Sequence, residues 1–482
     1  LDGEKVEFFN QSTKMKISGL PKRLSFLDAA FLYLEKKECP MNIGAASIFE
    51  GKLTHEELTR YIEERLHLVP RYLQKVSPDP FNIAHPEWEF DPNFDIKNHI
   101  IKVKQNKPFR LKDLAKLSGQ IMSELMDKNK PLWELYVVEN FEGGCSAMIA
   151  KVHHCMADGI SGVDLMKVLF EMTPQAQKPP QRDEMYIEAP KPKEPTEKFF
   201  DSLLHTFQET MTKIIEFQGG LLYMAKVFSR PDTIQSLPQI AELIPAVTAP
   251  PPILPFNAEC SGQRRLAWTE FSFTEARKIR NFLGGTVNDV VLTALTKAVS
   301  DYTKLHGQKV KDNFVRFMVP VNLRQKEQRG SLGNLISFLP VEIPLDIENL
   351  TELFKYVNQK MNRMKETHIA EGLMLLGAMY AMIPAPIQAA LCAVAKLPFP
   401  PFNMVATNVP GPQIPLYLAG KKMIRQYPYV PVGYKLGLGC AILSYNQTLY
   451  FGLSSDAKAM KDVEKFKQFL EKALIDLSKL VD

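Results

Sequence analysis

Polar and apolar positions along the first third of the chain alternate between two periods. Ser25 precedes Phe26-Leu27-Asp28-Ala29-Ala30-Phe31-Leu32-Tyr33-Leu34-Glu35, a helical spacing behind a serine cap. Asn42 to Phe49 alternates as a strand does. Thr54 to Leu68 opens with Thr54 and Glu57 in capping-box spacing and reads as a second helix. Pro70 to Pro92 is Pro-rich and irregular. A helix is predicted over Leu111 to Met126, a strand over Leu132 to Glu139, and a turn at Gly143-Gly144 into a strand from Ser146 to Val152. Beyond it Ile160, Val163, Met166, Val168, Leu169 and Met172 recur at helical spacing.

From Pro174 to Pro195 the periodicity disappears into Pro, Lys, Gln and Glu, the composition of an exposed linker. Phe199 to Phe228 is helical in pattern, interrupted at Gly219-Gly220, and Pro245 to Pro255 closes the connector. The second half begins with a strand near Trp268 to Phe273 and a short helix after Thr274. A helix capped by Thr286, with Asp289 at its third position, runs to Leu305. Strands follow at Phe314 to Val321 and Leu335 to Ile343, then a helix from Asn349 to His368. Further strands are predicted at Phe402 to Thr407, Leu436 to Ser444 and Thr448 to Leu453. Asn446-Gln447 makes a tight hairpin between the last two, and a final helix spans about Lys461 to Lys479. Each half mixes strands and helices in an α+β manner, and no fixed-period repeat relates them.

Gly372 to Ala395 is long and apolar enough to raise the question of a membrane span. Pro384 and Pro386 favour two shorter helices, buried or at an interface. The chain begins at Leu1 rather than methionine, and its first twenty residues are polar and mixed, with no apolar signal core. A length of 482 residues calls for two or three cores, and 45% hydrophobic residues can fill them. The net charge of +5 and pI near 8.6 suit an anionic small molecule or an acidic membrane surface, with no block of like charge to suggest nucleic acid. Six scattered cysteines without a CxxC pair fit a reducing, cytoplasmic setting.

Chemistry concentrates at Lys151-Val152-His153-His154-Cys155-Met156-Ala157-Asp158-Gly159, where a strand gives way to a helix. Histidine is the side chain best suited to move protons near neutral pH. Adjacent residues at a strand end diverge, so one histidine should face a pocket and the other the supporting core. The divergence also argues against a metal site, as does the lack of a third ligand nearby in sequence. Asp158 can cap the next helix or orient an imidazole, and Gly159 permits the turn. No G-x-S-x-G elbow is present, and Ser161 lacks its spacing; Walker A and dinucleotide fingerprints are also missing. A base without an enzyme nucleophile points to direct attack by a substrate hydroxyl, amine or water.

His153-His154-x-x-x-Asp158-Gly159 resembles the signature of the CoA-dependent acyltransferase superfamily. Together with Pro131-Leu132-Trp133-Glu134, Val287-Asn288-Asp289-Val290-Val291, Pro320-Val321-Asn322-Leu323-Arg324 and Asn408-Val409-Pro410-Gly411-Pro412, it is similar to the bacterial-type wax ester synthase/acyl-CoA:diacylglycerol acyltransferase family. The likeness runs from about Leu24 to the C-terminus. One departure is Asn42, where many relatives carry histidine; its distance from the histidine motif in sequence argues that it matters little.

The resemblance implies an α+β protein of two chloramphenicol-acetyltransferase-like domains with mixed sheets and a long connector, divided as 1–172, 173–260 and 261–482. It implies transfer of a long-chain acyl group from acyl-CoA, the co-substrate, to a fatty alcohol or diacylglycerol in a tunnel between the domains. No further cofactor or metal is expected. His154 would be the general base with His153 beside it, Asn288 an oxyanion donor or a helix-start residue, and Asp158 a structural partner of Arg324. Gly159, Asp289, Pro131 and Trp133 would support the site. The 372–395 stretch reads as core helix, tunnel wall or lipid contact. A peripheral place on a membrane or lipid inclusion fits the substrates, no nucleic-acid partner is expected, and there is room for a homodimer. Two other readings remain: a superfamily member using a carrier-protein thioester with an amine or polyketide hydroxyl, and a non-catalytic lipid-binding protein, against which the intact His154, Asp158 and Gly159 argue.

Overall fold

A computed structural model describes residues 22–79, 83–156, 169–175, 249–322, 336–366, 385–394 and 402–481, with short pieces at 179 and 201–202. The first half forms α1 (Phe26–Leu34), β1 (Asn42–Phe49), α2 (His55–Glu63), β2 (Gln74–Ser77), β3 (Glu87–Phe90), β4 (Ile100–Lys102), α3 (Leu111–Ser123), β5 (Trp133–Phe141) and β6 (Cys145–His153). Caps start the helices where the sequence places them: Ser25 Oγ accepts from Asp28 N, and Thr54 with Glu57 forms the full capping box. The second half forms β7 (Arg264–Ser272), α4 (Phe273–Leu283), α5 (Val287–Leu305), β8 (Phe314–Asn322), β9 (Ile336–Pro344), α6 (Leu350–Glu366), α7 (Ala385–Val394), β10 (Met404–Pro410), β11 (Tyr417–Leu418), β12 (Lys421–Tyr429), β13 (Leu438–Tyr445), β14 (Thr448–Asp456) and α8 (Val463–Ser478).

Two six-stranded sheets organise these elements, in the orders β11-β12-β1-β6-β5-β4 and β7-β14-β13-β10-β8-β9. Both are mixed: β4 and β5 run parallel in the first, and β10 runs parallel to β13 and β8 in the second. The α+β class with mixed sheets is therefore correct. β2 and β3 pair separately, within the stretch whose prolines read as irregular.

The first sheet is not built from the first half alone. β12, far along the chain, pairs antiparallel with β1 and sets Gly44 opposite Tyr429. The alternating pattern does not announce this strand, because Pro428 lies inside it and Lys421-Lys422 begins it. Proline normally keeps to sheet edges. Here it stands opposite Ala45, and its carbonyl lies where a Cβ on Gly452 of β14 would be, 1.7 Å away. Only glycine at 452 lets the two sheets approach this closely. Trp268 of β7 stacks on Tyr427 of β12 at 4.5 Å, joining the sheets through aromatic faces.

α3 lies against both β7 and β1. Its Gly119 meets the Arg264 carbonyl, and Arg264 N donates to Ser123 Oγ at 2.9 Å. Of the apolar 372–395 stretch, the described part is α7, which packs on α1 and exposes Ile387 and Leu391. No described helix is long and apolar enough to cross a membrane. Cys39, Cys145, Cys155, Cys260 and Cys440 are free thiols. The connector helix expected over Phe199 to Phe228 falls largely outside the described residues, as does most of the 174–195 linker.

Candidate active site

β6 is a central strand, flanked by β1 and β5, and it delivers His153 as its last residue. One turn of 3-10 helix, His154–Met156, follows. The backbone of the pair is held from both sides. His153 N donates to Leu132 O at 3.0 Å, and His154 N donates to Met41 O at 2.8 Å. The Pro131–Trp133 segment thus fixes the first histidine and the end of the α1–β1 loop fixes the second.

The histidines differ as strand geometry requires. His153 is fully buried, and its Nδ1 accepts from Cys155 N at 3.1 Å. An accepting Nδ1 places the ring proton on Nε2, which lies 3.2 Å from Glu35 Oε1. Glu35, at the C-terminus of α1, also accepts from Met41 N at 3.2 Å and meets Lys128 Nζ at 3.1 Å. Burial pushes the Glu35 carboxyl pKa up, but His153 and Lys128 outweigh it and hold the pKa at about 2.

His154 is partly exposed and stacks on Phe31 of α1, ring centroids 3.7 Å apart and planes 17° from parallel. Its Nδ1 is buried with no hydrogen-bond partner among the described residues. Burial disfavours the imidazolium, and the neighbouring His153 adds to this, so the His154 pKa falls to about 4. The ring is a neutral base at physiological pH, oriented by an aromatic face. Both histidines therefore touch α1: one through its terminal carboxylate, the other through an aromatic side chain one turn earlier.

Asn42 lies directly opposite His153 in the β1–β6 ladder. Distance along the sequence argues that this departure matters little, but the strand pairing puts it beside the histidine pair. Its Nδ2 donates to Met122 O and Glu124 O at 3.2 and 2.9 Å, tying the last carbonyls of α3 to β1.

Trp133 is buried and donates Nε1–H to Tyr72 O at 2.8 Å, while His99 stacks on its face at 4.4 Å. Pro131 is buried beside it. Asp289 is buried at the start of α5, where its Oδ2 accepts from Thr286 N, Thr286 Oγ1 and Asn358 Nδ2 at 2.8, 2.9 and 2.9 Å. It is the N3 partner of Thr286 in the capping box of that helix. Asn288 is partly exposed next to it, and no hydrogen bond among the described residues joins it to His154. Asp158, Gly159 and Arg324 lie outside the described residues. Among those described, no group of three or more His, Cys, Asp or Glu side chains is placed to hold a metal ion.

Glu35, Phe31, Met41 and Lys128 belong to the site but carry no motif. One signal was available. A glutamate ending an apolar helix sits against the negative end of its dipole, a breach of local preference that often marks a functional position.

Two mixed sheets sharing strands across the chain, with a histidine pair at the end of a central strand, define the two-domain acyltransferase and condensation fold. The first condensation domain of the calcium-dependent antibiotic synthetase superposes with a TM-score of 0.57 at 12% identity, covering 96% of this chain and 97% of that one. A wax ester synthase/diacylglycerol acyltransferase from Marinobacter aquaeolei VT8 superposes with a TM-score of 0.67 at 21% identity, covering 96% and 100%. The wax ester synthase/diacylglycerol acyltransferase catalytic domain matches residues 24–291, and the C-terminal domain of the same family matches residues 332–478. The chain belongs to this family. A putative diacylglycerol O-acyltransferase of Mycobacterium bovis is 26% identical over 462 residues, 94% of this chain and 95% of its own. A probable diacylglycerol O-acyltransferase of Mycobacterium tuberculosis is 28% identical over 471 residues, 94% and 98%.

Proposed function

We propose that this protein transfers a long-chain acyl group from acyl-CoA to the hydroxyl of a fatty alcohol or diacylglycerol, with His154 as general base. Family membership makes the chain an O-acyltransferase, and one observation at the site carries the assignment of the base: His154 is neutral, partly open and held rigidly at a strand end. The acceptor oxygen attacks the thioester carbonyl as its proton passes to the imidazole. The tetrahedral intermediate then expels the CoA thiolate, which recovers the proton from His154. One proton moves and one oxyanion must be stabilised, a balance that calls for no further cofactor.

His153 is the support of the base, its Nε2 lying 3.2 Å from the Glu35 carboxylate. In this reading Asn288 supplies the oxyanion donor once substrate is bound, and Asp158 pairs with Arg324 to tie the two halves together. Division of the chain at 172 and 260 into two acyltransferase-like domains and a connector belongs to the same proposal. So do a cytoplasmic location, peripheral association with a membrane or lipid inclusion, and a homodimer.

Free CoA released from palmitoyl-CoA, with a long-chain alcohol or diacylglycerol as acceptor, tests the reading. Acceptor-dependent release is expected, falling by about 10²–10⁴ in His154→Ala. Wild-type turnover in that variant would remove His154 as base, and no acceptor-dependent release at any chain length would remove the function.

A further inference from the structure

The side chain of Glu35 is 1% exposed, and a carboxylate taken that far out of water keeps its charge only beside a counter-charge. Two groups approach it. His153 Nε2 lies 3.2 Å from Oε1, and Lys128 Nζ lies 3.1 Å from Oε2. They do not play the same part. His153 Nδ1 accepts the Cys155 N–H at 3.1 Å, so a second proton on this ring would set two donors against each other. The positive charge comes instead from Lys128, the one ammonium or guanidinium that pairs with Glu35 among the described residues.

Local chain geometry presents this lysine. Lys128 stands in the connection between α3 and β5, where Asp127 O accepts from Lys130 N at 3.1 Å and Asp127 Oδ1 accepts from Asn129 N at 3.0 Å. An aspartate that accepts from the backbone two residues on fixes such a turn locally. The Lys128 side chain is 48% exposed, so a side chain that still reaches water pairs with a buried anion. Lys130 has the same chemistry and a similar exposure of 44%, but its partner is the exposed Asp127 at 3.8 Å. Position, not residue type, separates the two lysines.

Glu35 reaches the mount of His154 by two routes. Its Oε1 accepts from Met41 N at 3.2 Å, and Met41 O accepts from His154 N at 2.8 Å. Its charge also faces His153 Nε2 and favours the tautomer protonated there, which leaves Nδ1 to accept from Cys155 N. Cys155 is the middle residue of the His154–Met156 turn. We infer that Lys128 is a positioning residue for the acyl transfer: its ammonium is the counter-charge of Glu35, and through that anion it fixes the His153 tautomer on which the turn carrying His154 rests. The inference rests on the reading of His154 as general base. Once Lys128 is gone, burial is the largest influence left on the Glu35 carboxyl and pushes its pKa up. Protonated in mildly acid solution, Glu35 no longer selects the Nε2–H tautomer, and a proton on Nδ1 meets the Cys155 N–H. Besides His153 and Lys128, the Glu35 charge acts on Cys39 of its own loop and Cys155 of the turn, thiols that burial keeps protonated. His154 is the remaining ionisable group of the turn, with its pKa at about 4.

Lys128→Met tests this, with Lys128→Arg and Lys130→Met beside it, each assayed across pH with palmitoyl-CoA and a long-chain alcohol. In Lys128→Met, kcat should fall about threefold at pH 8 with KM for both substrates unchanged. The loss should deepen about tenfold further by pH 5.5, as the acid limb moves up by about one pH unit. Lys128→Arg should restore most of the wild-type profile, since a guanidinium also pairs with a carboxylate. Lys130→Met should keep that profile throughout. A loss equal at every pH, an unshifted limb, or the same shift in Lys130→Met overturns the proposal. A second readout needs no turnover. In protein labelled with heavy nitrogen at its histidines, NMR shows which ring nitrogen carries the proton, and His153→Gln identifies the His153 signals. Wild type at pH 5.5 should show Nδ1 unprotonated, and Lys128→Met should show it gaining a proton. An unprotonated Nδ1 in Lys128→Met overturns the proposal even where kcat falls. Should Lys128→Met fail to fold, Lys128→Gln removes the same charge and keeps a polar end. A tautomer that responds to Lys128 in a protein without acyl transfer would leave this linkage standing and sink the proposed reaction instead.

Discussion

In the proposed reaction His154 would be the base, and burial keeps it neutral. With its pKa held at about 4 against an ordinary value of 6.5, the acid limb of kcat/KM should fall near pH 4 to 5. A midpoint near 6.5 would show a solvated imidazole and contradict the stack on Phe31. The same shift acts on stability: between the two values the unfolded chain binds the extra proton, so this contribution weakens as pH falls through 6.5. Glu35 behaves differently. Its carboxylate has a folded value of about 2 against 4.5, so its stabilisation is complete above pH 4.5 and is lost as pH falls toward 2. Glu35→Gln leaves His153 and Lys128 without their shared anion inside the protein. About 3 kcal/mol of stability should be lost at pH 7, measured by denaturant unfolding, together with most of kcat. The gap between variant and wild type should close on acidification through pH 4. A gap independent of pH would mean that the lost interaction is packing rather than charge.

At the scale of elements, α1, β1, α3 and β6 meet at one point, and Asn42 is the side chain that joins three of them. Asn42→Ala removes both hydrogen bonds to the α3 carbonyls while leaving the β1–β6 ladder intact. We expect a loss of about 1–3 kcal/mol in denaturant unfolding and a fall in kcat as the end of α3 loosens beside His153. An unchanged midpoint and unchanged kcat would reduce Asn42 to a neutral substitution. Much of this scale was legible in the chain. The caps at Ser25, Thr54 and Thr286, the hairpin before His153 and the strands of the second sheet all follow from local periodicity and capping chemistry. β12 was not, because its alternation is broken by Pro428 and its partner β1 lies hundreds of residues away. Nor were Glu35 and Asn42 as site residues: their roles come from pairing across strands and helix ends, which no local pattern records. The histidine pair was legible because adjacent residues on a strand must diverge, and the structure gives them the unequal burial that divergence demands.

The whole molecule brings the second half to bear on the histidine pair through the 35–41 loop, which begins with Glu35 and ends with Met41. Tyr434 Oη donates to Leu34 O at 2.7 Å, and Arg264 reaches Val432 O at 2.6 Å and Glu38 O at 3.5 Å. Arg264 is itself fixed by a fully buried pairing to Asp456 at 2.8 Å. Cys39 packs so closely on Gly433 that a Cβ there would sit 2.0 Å from its sulfur. The loop that carries Glu35 beside His153 and holds His154 N–H is thus pressed into place by the start of β7 and the β12–β13 connection of the other half. Gly433→Ala should push this loop back toward β6. Because the conflict is between side chains at the interface, kcat should fall by about tenfold or more while each core keeps its packing. Cys39→Gly in the same chain removes the two closest contacts, those with Sγ and Cβ, and should restore a large part of the activity. That recovery, measured as a coupling energy in a double-mutant cycle, separates transmission through the loop from general damage. Wild-type kcat in Gly433→Ala, or no recovery in the double variant, would show that the second half does not set the position of the base.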